Sequence, residues 1–82
     1  MKTQTVIEKF QSLQDVIDIK LGTLSPGFKP TINMYSISVS DNSATATVSY
    51  FGDMTGYYDD YKSVVIANGF YLSSHKLYIN IA

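Results

Sequence analysis

Four of the seven tyrosines in this 82-residue chain fall in one run, Tyr50-Phe51-Gly52-Asp53-Met54-Thr55-Gly56-Tyr57-Tyr58-Asp59-Asp60-Tyr61. The run is aromatic and acidic together. A phenol brings a large contact area, few rotatable bonds and a polar tip, and carboxylates around it favour a basic partner surface. Asp53, Tyr57, Tyr58, Asp59, Asp60 and, from near the end of the chain, Tyr78 are therefore the expected partner-binding residues. The same spacing also fits a structural role, in which Tyr50, Tyr57 and Tyr61 line a small core with their hydroxyls at its surface. Tyr58 and Tyr78 fall off the apolar stripes or on the outward sheet face and are least explained by packing.

Catalytic chemistry finds little support. His75 is the single histidine, and no G-x-S-x-G turn accompanies it, so it reads as a solvated turn or strand residue. Asp53, Asp59 and Asp60 lack the alternating spacing and closing glutamate of a calcium loop. Asp59 and Asp60 suit the first turn of a helix, where the dipole favours carboxylates. Neither G-x-G-x-x-G nor a P-loop occurs, and the aspartate in Gly52-Asp53-Met54-Thr55-Gly56 would repel a phosphate. The chain is expected to be no enzyme, with no catalytic residue, no metal ligand and no cofactor.

Six lysines, no arginine, six aspartates and one glutamate give a net charge of −1. No strong field would draw nucleic acid, and the bidentate reader of phosphates and guanines is missing. Charged residues make up 16% of the chain, low against a typical ~25%, while 45% apolar content is ordinary for a folded domain. Cysteine is absent, which excludes disulfides and thiolate metal sites. Glu8 and Lys9 interrupt the N-terminal region before a signal-like apolar run can form, and no stretch approaches the ~18 apolar residues of a membrane span. A cytoplasmic protein with no membrane association is the expectation.

The elements that would position these residues follow from periodicity. Val6, Phe10, Leu13, Ile17 and Leu21 form one helical stripe, which predicts a helix over 5–21 with a Thr5–Glu8 capping box and a stop at Gly22. Two prolines and a glycine make 23–30 a loop, anchored by Leu24 and Phe28. A hairpin is predicted over 31–52. Its first strand alternates at Tyr35, Ile37 and Val39, its turn is Asp41-Asn42-Ser43, and its second strand buries Ala44, Ala46, Val48 and Tyr50. A second helix over 57–68, with an apolar stripe of Tyr57, Tyr61, Val64 and Val65 that Tyr58 could join, ends at an Asn68-Gly69 cap. The last segment, 70–81, reads as one strand, with a short hairpin around Ser73-Ser74-His75-Lys76 as the other reading.

The predicted fold is a single α+β domain over 1–82 in the order α-β-β-α-β, a three-stranded mixed sheet with both helices on one face. A right-handed crossover would set the third strand parallel to the second, with the first between them. Thr45, Thr47, Ser49, Phe51, Lys76 and Tyr78 would face outward, with Met34 and Ile32 beside them if register holds. Such a domain is expected to be a non-enzymatic protein-binding module acting through its acidic tyrosine-rich surface. Its general character resembles that of phage- or plasmid-borne stoichiometric inhibitors of host defence proteins that bind nucleic acid, a likeness of composition with no motif behind it. Two other functions compete. Phe51 and Tyr78 could stack single-stranded bases while Lys76 meets a phosphate, although the charge balance opposes it. Alternatively, a poorly charged sheet edge could pair with a second copy to form a homodimer.

Overall fold

A computed structural model describes residues 2–22, 29–51 and 57–81, with the side chains of Lys2, Gly22, Lys29 and Phe51 excepted. Leu24, Phe28 and Asp53 lie outside the described residues. Helix α1 spans Lys2–Gly22 and buries Val6, Phe10, Leu13, Ile17 and Leu21, the stripe its periodicity predicts. It starts before Thr5, so the Thr5–Glu8 box is not its cap. Lys2-Thr3-Gln4 contains no helix breaker, and the chain simply extends the ladder one turn further.

Strand β1 (Lys29–Ile32) begins inside the predicted loop and contains Pro30. An edge strand tolerates proline because its missing N–H need not serve the ladder. The outer side of that edge is closed by α1. The Gln14 amide donates to the Pro30 carbonyl at 3.1 Å and accepts the Ile32 N–H at 2.8 Å, standing where another strand would bond. Ile32 is buried under the helix, which corrects its expected outward position.

The predicted strand through Tyr35 is broken by a 3-10 turn at Met34–Ser36, and pairing resumes only in β2 (Ser38–Val39). Both β1 and β2 pair antiparallel with β3 (Ser43–Phe51). Between Ile32↔Val48 and Ser38↔Thr45, the five residues Asn33 to Ile37 stand opposite two, Ala46 and Thr47. The surplus is looped out and braced. The Asn33 side chain accepts from the Tyr35 N–H at 3.0 Å, while the Ser36 hydroxyl donates to the Asn33 carbonyl and accepts the Thr47 N–H at 2.8 Å. Tyr35, expected on the half-buried side, is fully exposed at 100%.

Helix α2 spans Tyr58–Ala67, and Asn68-Gly69 ends it as predicted. Gly69, at φ +86°, donates to Ile66, and Phe70 donates to Val65. This is the Schellman pattern, and Phe70 and Val65 are both buried in the core beneath it. The C-terminal segment is the hairpin of the two readings: β4 (Tyr71–Ser73) and β5 (Lys76–Asn80) joined at Ser74-His75.

The sheet is antiparallel throughout and open, with five strands in the path β1-β3-β5-β4 and β2 beside β1 on the same partner, so the predicted three-stranded mixed sheet is corrected. The parallel relation falls between β3 and β4, and the strand separating them is β5 instead of the first. Each helix is followed by a hairpin, and the two hairpins meet through β3 and β5. One face of the sheet carries Ile32, Ala44, Ala46, Val48, Leu72, Leu77 and Ile79 into a single core with both helices. The other face is open.

Candidate functional site

The predicted contact residues are divided between two faces. Tyr57 precedes α2 as its N-cap residue, and Tyr58, Asp59 and Asp60 form its first turn on the covered side of the sheet. Tyr78 lies in β5 and points to the open side, as the alternation of exposed and buried residues along that strand requires. These residues do not make one contact surface.

At the start of α2, packing accounts for much of the aromatic cluster. Tyr61 is fully buried, and Tyr57 and Tyr58 are half-buried against the core, while Asp59 and Asp60 are exposed. Tyr50, on the covered face of β3, is the hub of the cluster. Its ring lies 6.0 Å from Tyr58 and 5.8 Å from Tyr61 in edge-on geometry, and 5.0 Å from His75. Its hydroxyl donates to the Ser74 carbonyl at 2.6 Å. Ser74 holds φ +54°, a left-handed conformation costing a non-glycine residue about 1 kcal/mol. Tyr50 thus clamps a strained turn onto the central strand.

The chemistry of this cluster is that of protonated phenols. Burial, followed by the neighbouring Tyr58, pushes Tyr50 up to about 12. Burial pushes Tyr61 still higher, with Tyr50 and Tyr58 adding to it. The Tyr61 hydroxyl is buried and has no hydrogen-bond partner among the described residues. His75 Nδ1 lies 3.3 Å from the Val48 carbonyl, so this nitrogen is engaged with backbone. Among the described residues, no group of three or more His, Asp or Glu side chains could hold a metal ion.

A raised phenol pKa carries a sign for stability. Above the unfolded value of ~10, the unfolded chain releases protons that folded Tyr50 and Tyr61 still hold. Their contribution is whole below that pH and declines as pH rises through about 12, the folded value of Tyr50. In an alkaline titration, phenolate absorbance from these two residues should appear together with loss of the far-ultraviolet helix signal. A Tyr50→Phe/Tyr61→Phe variant should show a weaker dependence of stability on pH above ~10. An unaltered dependence would exclude this linkage.

The open face is more informative. Strand register lays Ser38, Thr45, Tyr78 and Tyr71 in one row across β2, β3, β5 and β4, with Thr47, Lys76 and Ser73 in the next row. Tyr71 is 61% exposed and Tyr78 39%. Direct cross-strand partners have Cβ atoms about 4.5–5.5 Å apart, so the two tyrosines sit side by side. Tyr71 was missed from sequence because a single 70–81 strand gives it no partner; the hairpin reading sets it opposite Tyr78. The side chain of Phe51 lies outside the described residues.

No helix among the described residues is long and apolar enough to cross a membrane. Comparison with family models, curated proteins and solved structures gave no match, so geometry alone carries the functional reading.

Proposed function

We propose that this chain is a non-enzymatic protein-binding module that meets its partner through the open sheet face, with Tyr71 and Tyr78 as anchors. The observation that carries this reading is the register pairing of two exposed tyrosines on a face otherwise made largely of threonine and serine. Tyrosines on paired strands offer contact area at low entropic cost, and short hydroxyls supply adaptable hydrogen bonds. Lys76 is the charge in the two rows, so this face asks for a neutral or weakly acidic partner surface. Asp59 and Asp60 form a separate acidic pair suited to a basic surface, such as the groove of a nucleic-acid-binding protein that an inhibitor would occupy.

A nucleic-acid strand is the competing occupant of the same face, favoured by the adjacent rings of Tyr71 and Tyr78 with Lys76 on the neighbouring row. The net charge of −1 and the absence of arginine favour protein instead.

The test compares immobilised wild-type protein, Tyr71→Ala/Tyr78→Ala and Asp59→Ala/Asp60→Ala in capture from native host lysate, with and without nuclease. A nuclease-resistant protein bound by wild type and the aspartate variant, but weakened at least about tenfold by the tyrosine variant, is the expected result. Retention by the tyrosine variant with loss in the aspartate variant would move the site to α2. Recovery of nuclease-sensitive material alone would replace the protein partner with nucleic acid.

A further inference from the structure

Four asparagines occur in the chain, followed respectively by Met34, Ser43, Gly69 and Ile81. Only at Asn68 does the next residue lack a side chain to shield its backbone nitrogen. Asn68 is also exposed, on the surface end of α2. We infer that Asn68 is a site of spontaneous deamidation, held in check by the helix cap that the same two residues build.

In the reaction, the Gly69 amide nitrogen loses its proton to solvent base and attacks Cγ of Asn68, forming an N–Cγ bond. Nδ2 departs as ammonia after taking a proton from solvent. One water then opens the cyclic imide at either carbonyl, giving aspartate or isoaspartate. Closure of the ring requires the Gly69 nitrogen to swing to the side-chain side of the Asn68 Cα–C bond.

The fold holds it elsewhere. Asn68 has ψ 11°, which places the Gly69 nitrogen on the side of the Asn68 backbone nitrogen. The attacking nitrogen is committed to the Ile66 carbonyl at 3.0 Å, and the departing Nδ2 is bonded to the Val64 carbonyl at 2.8 Å. Phe70, bonded to Val65 at 3.1 Å and buried in the core, locks the cap from the far side. The imide therefore forms only from molecules whose cap has opened, and the modification reports local unfolding of the α2 C-terminus.

Its products prevent the cap from closing as before. Either one sets a carboxylate at the negative end of the helix dipole and removes the Nδ2 donor. Isoaspartate also lengthens the main chain at position 68, two residues before Phe70 and three before β4, the strand that carries Tyr71.

Intact wild-type protein is incubated at physiological pH and temperature, in buffer and in concentrated denaturant, and conversion at each asparagine is read by peptide mass mapping. In denaturant Asn68 should convert first of the four. In buffer its conversion should be at least roughly tenfold slower, the mark of a reaction through local opening. Phe70→Leu, which loosens the lock while keeping an apolar residue, should raise the buffer rate several-fold and leave the denaturant rate unchanged. Equal wild-type rates in the two media, earlier conversion of another asparagine in denaturant, or an unchanged buffer rate in Phe70→Leu would each overturn the inference.

Discussion

Phe10→Ala is expected to remove about 3–5 kcal/mol of stability, the range for deleting a buried aromatic and leaving a cavity. Phe10 has no exposed surface, and its ring centroid lies 5.1 Å from that of Phe70. The pair joins the middle of α1 to the junction between α2 and β4. Truncation therefore loses transfer energy and separates elements distant in sequence. A domain of this length has a total stability of roughly 4–12 kcal/mol by per-residue scaling, so the loss is about a quarter of the total or more and should move the unfolding midpoint far below that of wild type. Denaturant titration followed by circular dichroism measures this directly. A midpoint equal to wild type would contradict the packing of α1 on the sheet.

Tyr61→Phe is expected to act in the opposite direction. A buried hydroxyl without a partner costs about 1–3 kcal/mol, and phenylalanine keeps the ring while removing that cost. The edge-on packing against Tyr50, at 5.8 Å, needs only the ring. A gain of about 1–2 kcal/mol should raise the melting midpoint by roughly 4–16 °C for a domain of this size. A lowered midpoint would show that the hydroxyl is bonded in solution, and would then assign Tyr61 a polar role in the fold.

The contrast between these residues marks how far sequence alone could go. Phe10 falls on the α1 stripe, so its burial was legible from period, and Ala44, Ala46 and Val48 were placed by alternation along β3; Tyr61 also falls on a helical stripe, but its hydroxyl, expected at the surface, is buried with its ring. The hairpin at Ser74-His75 was harder to see, because a two-residue turn ordinarily announces itself with glycine or asparagine at positive φ. Here a serine takes that conformation, with Tyr50, distant in sequence, bonded to its carbonyl. Similarly, the exposure of Tyr35 depends on a looped-out segment secured by Asn33 and Ser36, and local alternation carries no trace of it.

The same limits explain the candidate site. Asp59, Asp60 and Tyr78 are exposed as expected, but exposure within each element does not make them one surface, because α2 lies on the covered side of the sheet and Tyr78 on the open side. Tyr58 was preferred as a contact residue because the α2 stripe explains it least, whereas its ring packs edge-on to Tyr50 across the β3–α2 junction. Tyr71 became visible only with strand register, since its importance lies in its partner and not in its own neighbours.

The face that binds is tested most directly by hydrogen–deuterium exchange on the free protein and on its complex with the captured partner. Protection centred on Thr45, Thr47 and the β4–β5 hairpin, with α2 exchanging as in the free protein, is the expected result. Protection confined to Tyr58–Ala67, with the hairpin unchanged, would contradict the open-face assignment and return the site to the acidic start of α2.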